Sequence, residues 1–244
     1  MVSGPPTQEP RQNNANHFTQ WMFGFGAGGL TLFYSRRIYL RLIKRIPNAD
    51  HVTPTLFAEK RWIKGVVTSV GDADGFRFFH TPRLSGLSWP FKFRRVPTKN
   101  LKDRTISIRI AGVDAPEGAH FGNDAQPFAT ESKAWLKNRI LRKTVMCQLL
   151  QRDQYSRIVA NVSLPGIFLS KNLALEMLRT GWATTYEQAS AQYGKEGKDA
   201  YIAAEKQAKA KRRGMWKRGT NIETPSEYKR KHRQSTTVKT PSKL

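Results

Sequence analysis

Between residues 64 and 164 the chain carries five short runs of β-forming residues bounded by turn-formers, with helix-patterned segments between and after them. Few folds accommodate that rhythm. GVVTSV and FRFFH, over 65–70 and 76–80, are joined by the Asp/Gly turn DADG and read as a hairpin. In RTISIRIAGVD the alternation of Ile106, Ile108 and Ile110 is strand spacing, and TVMCQLLQRD and RIVANVSL read as two further strands that pair. Phe128, Ala129, Trp135, Leu136 and Ile140 recur at helical spacing, LSKNLALEMLRTG is a helix ending at Gly181, and DAYIAAEKQAKAKRRGMW is a last helix stopped by Gly214. The expected fold class is α+β, a five-stranded β-barrel of the OB kind packed on about three helices.

The region before residue 61 has a different texture. A polar, Pro-rich start gives way to HFTQWMFGFGAGGLTLFYS, 17–35, which carries no charge and is followed at once by RRIYLRLIKR. An apolar stretch of about 17 residues is at the short end for a spanning helix. Two readings stand: a transmembrane anchor over 18–35, or a buried or surface-lying tethering segment. A cleaved signal peptide fits poorly, because Arg11 is the only basic residue before the run. Arg36, Arg37, Arg41, Lys44 and Arg45 would hold the C-terminal side on the positive-retaining face of a membrane. Gly24 and Gly28 suit helix packing better than a dinucleotide loop, since no strand precedes them. Across the chain, 42 Lys and Arg against 18 acidic residues give a formal charge of +24, which favours a polyanion, either nucleic acid or an acidic membrane surface. The single cysteine, Cys147, excludes an intrachain disulfide and Cys-rich zinc sites, and its apolar setting reads as a buried, inert thiol.

Against that basic background, RIAGVDAPEG places two carboxylates around a proline, eight and five residues from Arg109. Hydrolysis of a phosphodiester needs cations to accept charge on the phosphoryl oxygens and a carboxylate to prepare a water. Asp74 and Asp114 are hard oxygen donors suited to one divalent ion such as Ca²⁺. Glu117 is then left for the water, with Pro116 stiffening the turn so that the Ala115 carbonyl can face the metal. Arg109 and Arg157 would grip the phosphate. On spacing alone DADG reads first as a plain hairpin turn. An EF-hand is excluded, because Arg83 stands twelfth from Asp72 and Gly75 comes too early.

The ordered set DADG, RIAGVDAPE and RDQYSR resembles the three signature segments of the staphylococcal nuclease family, and the likeness continues through LALEMLRTGWA and AEKQAKAKRRGMW, over about 61–216. The resemblance implies an OB-fold, Ca²⁺-dependent phosphodiesterase that cleaves DNA and RNA with little sequence preference. Asp74 and Asp114 match the calcium carboxylates, and Ala115 matches a residue that binds through its carbonyl. Glu117 matches the water-activating carboxylate, and Arg109 and Arg157 match the phosphate-binding arginines. Tyr155 matches a tyrosine beside the bound nucleotide, while Gln154 stands where the best-known bacterial member has a lysine. Asp72 is expected just behind the metal ligands. The arrangement also resembles the fungal membrane-anchored branch, described as probable mitochondrial endonucleases, and a mitochondrial single-pass location is implied by that likeness alone. The organisation expected is a polar tail over 1–17, the anchor over 18–35, a basic linker over 36–60, the nuclease domain over 61–216 and a basic, unstructured tail over 217–244.

Three features admit two readings each. In 83–104, Trp89, Phe91 and Phe93 interleave with Lys92, Arg94, Arg95 and Lys99, a mixture that stacks bases and holds phosphates or else packs against the barrel or a membrane. His120 is a metal ligand or a hydrogen-bonded loop histidine. From Lys206 onward 13 Lys or Arg face 2 acidic residues, which is solvated charge or a polyanion-binding arm. Two other function classes compete with the nuclease. A non-catalytic OB-fold nucleic-acid-binding module would have lost Arg109, Glu117 or Arg157, and none is lost. A membrane-tethered protein that binds anionic lipid would ignore nucleic acid.

Overall fold

The computed structural model describes residues 34–86, 95–119, 124–166 and 170–238, with the backbone alone for 232–238. The apolar run up to residue 33, the aromatic and basic residues Trp89, Phe91, Lys92, Phe93 and Arg94, and His120 lie outside the described residues. The chain divides into two compact units, Met1–Lys44 and Arg45–Leu244. Of the first, the described part is helix α1 (34–42), whose Tyr34, Ile38 and Tyr39 are exposed. Among the described residues no helix is long and apolar enough to cross a membrane.

The second unit is built on one sheet. Strands β1 (Trp62–Val70), β2 (Gly75–His80), β3 (Ile106–Ile110), β5 (Thr144–Arg152) and β6 (Ile158–Leu164) run in the order β3-β2-β1-β5-β6. Four of the five neighbour pairings are antiparallel; the fifth, β3 with β6, is parallel and closes the sheet on itself. Each barrel strand turns alternate side chains inward, as Ile106, Ile108 and Ile110 do on β3 while Ser107 and Arg109 face out. Register shifts between Val67 and Ser69 and between Leu149 and Gln151 let the two nine-residue strands bend around the core. A short β7 (Lys171–Asn172) pairs antiparallel with the end of β6, and β4 (Val113–Asp114) pairs with β8 (Thr184–Thr185).

Helices cover the barrel. α3 (Ala129–Ile140), α4 (Leu173–Thr180) and α5 (Gly197–Ala210) bury Leu136, Ile140, Leu173, Met177, Leu178 and Tyr201. The five-stranded barrel with three principal helices is the expected fold. Boundaries differ where local hydrogen bonds intervene. α4 starts only at Leu173, because Lys171–Asn172 pairs with β6 and the Asn172 side chain caps the helix through the Leu175 N–H. α5 ends at Ala210, four residues before Gly214.

Two segments depart from the sequence reading. The expected linker carries a 3-10 turn, Ala49–His51, and helix α2 (Pro54–Ala58), and Ile46, Val52, Leu56 and Phe57 pack on the barrel core. Pro54 at the first helical position made that helix possible. The tail expected to be unstructured carries α6 (Pro225–Val238). Its start is a capping box: the Glu227 N–H donates to Thr224 Oγ1 at 3.3 Å, and the Thr224 N–H donates to Glu227 Oε2 at 2.8 Å.

Candidate active site

Residue pairing in the barrel brings the sequence-predicted groups together. Gly75 opposes Arg109 in the β2–β3 ladder, so Asp74, one residue earlier, leaves the strand end beside that arginine. The Ile110 N–H fixes the Asp74 carbonyl at 2.9 Å. After β3 the chain turns at Gly112, whose φ of +75° is left-handed and where a Cβ would lie 2.7 Å from the Tyr201 ring. That turn returns Asp114 on β4 to the same place, anchored by Thr184 Oγ1 donating to its carbonyl at 3.1 Å.

Arg109 joins the two acids. Its Nε donates to Asp74 Oδ2 at 3.1 Å and its Nη2 to Asp114 Oδ1 at 3.3 Å, with the Tyr186 ring centroid 4.8 Å from the guanidinium carbon. Burial works against the arginine's charge, but Asp74 and then Asp114 more than offset it and hold its pKa above the ordinary value. Asp114, 1% exposed, has its pKa pushed up, chiefly by burial, although Lys229 and Arg109 pull the other way. Its second oxygen, Oδ2, is buried without a hydrogen-bond partner. Ala115 is buried next to it, Glu117 is partly exposed, and Asp72 is exposed.

Glu117 is steadied through its backbone. Its N–H donates to Gln126 Oε1 at 3.1 Å and its carbonyl accepts from the Gln126 N–H at 2.8 Å, so Gln126 brackets the loop that carries it. Arg157 comes from the turn before β6. Asp153 Oδ1 accepts from the N–H groups of Tyr155 and Arg157, both at 2.9 Å, and its Oδ2 accepts from Arg157 Nε at 2.7 Å. The parallel β3–β6 ladder sets Arg109 opposite Val159, which puts both arginines on one wall of a groove of about 420 Å³. Gln154, Tyr155 and Tyr186 line the same groove, and Tyr155 is 69% exposed.

Four residues at the site are absent from the sequence reading. Asp153, inside RDQYSR, had a local signal, since an aspartate two and four residues before bonded N–H groups is an Asx-type turn. Tyr186 and Gln126 had none. Lys229, on α6, donates to Asp114 Oδ1 at 2.5 Å and lies 2.7 Å from Glu117 Oε1. Burial lowers its pKa, but Asp114, Asp74 and Glu117 together raise it above the ordinary lysine value.

Among the described residues no three His, Cys, Asp or Glu form a ready-made metal cage. Asp74 and Asp114 nevertheless meet at one guanidinium, and the orphaned Asp114 Oδ2 is a desolvated hard donor; two carboxylates completed by a backbone carbonyl and water fit a divalent ion of the Ca²⁺ kind.

A closed five-stranded barrel with helices packed on it and two acids bridged by a strand arginine defines an OB-type barrel of the staphylococcal nuclease class. The family model described as "Staphylococcal nuclease homologue" matches residues 107–218. "Probable endonuclease LCL3" of Schizophyllum commune is 57% identical over 219 residues, covering 86% of this chain and 75% of that protein. Proteins of the same description from Paracoccidioides brasiliensis and Podospora anserina are 48% and 43% identical. This chain aligns with 60% of the former and 86% of the latter, over 81% and 91% of its own length. The chain belongs to the staphylococcal nuclease homologue family, in the group of these fungal proteins.

Proposed function

We propose that this protein is a Ca²⁺-dependent endonuclease, tethered to a membrane through residues 18–35, that hydrolyses phosphodiester bonds of DNA or RNA with little sequence preference. The observation that carries the reading is the meeting of Asp74 and Asp114 at Arg109, with Glu117 joined to Asp114 through Lys229 and Arg109 lining the same groove as Arg157. The family and the described names of its relatives support it.

Each residue has a part in the hydrolysis. Asp74, Asp114 and the Ala115 carbonyl would hold the calcium ion, which when bound neutralises charge on the phosphoryl oxygens. Glu117 accepts a proton from a water as its oxygen forms the bond to phosphorus. Arg109 and Arg157 bind the non-bridging oxygens, more tightly as charge builds on them, until the bond to the leaving oxygen breaks and that oxygen takes a proton from solvent. Tyr155 and Tyr186 offer ring faces to a base, and Gln154 offers an amide to the backbone. None of these contacts reads a base edge, in keeping with low sequence preference.

The test is cleavage of single-stranded DNA with Ca²⁺ or with chelator. Cleavage needs the ion and falls about 10²- to 10⁴-fold in Glu117→Gln and in Arg157→Ala. Undiminished cutting by both variants would overturn the assignment. The tether rests on the uncharged run and the basic cluster behind it, and the mitochondrial location on the family likeness. Protease protection of a tagged protein in intact and ruptured mitochondria tests both, and a protein that washes off membranes in carbonate would refute the anchor.

A further inference from the structure

We propose that α6 is a displaceable cap on the acid cluster: its Lys229 ammonium stands where a divalent cation binds, and cation and polyanion together draw the helix away. This rests on the nuclease reading. Lys229 Nζ lies 2.5 Å from Asp114 Oδ1 and 2.7 Å from Glu117 Oε1. One of those carboxylates is assigned to the metal and the other to the attacking water. An ammonium in contact with both excludes a cation from the first and occupies the lone pairs that the second needs as a base.

The charge balance suits an exchange. With Lys229 withdrawn, Asp74 and Asp114 keep Arg109 while Glu117 loses its cation, so three carboxylates and one guanidinium leave two uncompensated negative charges, the complement of one divalent ion. With Lys229 in place the cluster is nearer neutral, so the acids stay folded together without an ion. The cap is thereby a stand-in that keeps the pocket assembled.

The attachment of α6 is slight enough to be reversed. Among the described residues of α6 only Pro225, at its start, is buried, and none belongs to the hydrophobic core clusters. Ile222, before the helix, packs on the small cluster of Ala208, Met215 and Trp216, Gln126 Nε2 donates to the Glu223 carbonyl at 2.8 Å, and the Tyr228 hydroxyl donates to the Asp124 carbonyl. Gln126 therefore ties the loop of Glu117 to the root of the cap. Ser226, Glu227, Arg230 and Lys231 are exposed. Arg230 and Lys231 make the outer side of the helix cationic, so a nucleic acid approaching the groove attracts the element that obstructs the site. Substrate and ion then act in the same direction.

The experiment is Ca²⁺ titration of the full-length, detergent-solubilised protein by calorimetry, without nucleic acid. Lys229→Met is expected to bind Ca²⁺ at least about tenfold more tightly than the unaltered protein. Arg230→Met, which removes the same charge one residue away, should stay within about twofold. Tryptic cleavage within 229–231 should accelerate when Ca²⁺ is added to the unaltered protein and be fast without it in Lys229→Met. Equal affinities for the unaltered protein and Lys229→Met, with binding lost in Asp114→Asn, would overturn the cap and leave the metal site standing. Equal tightening in Lys229→Met and Arg230→Met would also overturn it, as a bulk charge effect. No Ca²⁺ binding by any of these proteins would refute the metal reading and the cap with it.

Discussion

Arg109 holds Asp74 through one nitrogen and Asp114 through another, a bridge that only a planar, forked cation spans. Lysine keeps the charge and loses the fork. Arg109→Lys should therefore behave almost like Arg109→Ala in a cleavage assay, both at least about a hundredfold down, and a lysine variant of near-normal rate would contradict the bridging role. A second residue links ionisation to stability. The Ile46 N–H donates to His80 Nδ1 at 2.9 Å, so the ring is neutral with its proton on Nε2. Burial, then Arg61 and Arg45, lower its pKa from 6.5 to about 3. Below pH 6.5 the unfolded chain takes up a proton that the folded chain refuses, so stability is full at neutral pH and falls as pH drops toward about 3. The loss amounts to about 1.7 kcal/mol between pH 6.5 and 5. In His80→Asn, whose amide oxygen can still accept from Ile46, unfolding free energies from urea titrations at those two pH values should converge by that amount; an unchanged difference would show that His80 is not the group responsible.

At the scale of elements, the end of α4 and the 3-10 turn Gly214–Arg218 meet backbone to backbone. The Met215 N–H donates to the Gly181 carbonyl at 2.9 Å, a Cβ on Gly181 would lie 2.3 Å from the Arg213 carbonyl oxygen, and one on Gly214 would lie 2.3 Å from that of Gly181. Both glycines have positive φ. Gly181→Ala and Gly214→Ala should each cost about 1–3 kcal/mol, read as a lower urea midpoint at unchanged slope. Both glycines were visible in the sequence as stops, and so was the barrel, because strands with one buried face must alternate. The predicted site residues were picked out by the likeness of DADG, RIAGVDAPE and RDQYSR to the family's segments, because spacing alone left DADG a plain turn. The remainder was hidden by distance along the chain. Lys229 meets Asp114 across 115 residues, and a basic run without apolar periodicity reads as solvated charge. The signal that could have revealed α6 was TPSE at 224–227, a capping-box pattern without the apolar run that usually confirms one. Residues 46–58 were misread for the opposite reason, since two prolines obscured apolar side chains that the barrel buries.

Taken whole, the molecule sets a net charge of +24 against a small acidic cluster at its groove, so attraction to a polyanion is general while chemistry is local. Affinity for single-stranded DNA should fall steeply with salt. Removing residues 225–244, which carry six Lys and Arg, should make the log–log slope shallower by up to about 4, and an identical slope would show that the tail does not touch the strand. The same closed barrel also shelters the chain's one sulfhydryl. Cys147 sits in the middle of β5, paired with Ile63 on one side and Val162 on the other, and burial raises its pKa far above that of a free thiol. A maleimide dye added to the native protein thus has nothing to react with until the strands part, so its uptake times the opening of the whole barrel. A cysteine placed at Ser226 would be the sole attachment point for a spectroscopic label on the folded chain.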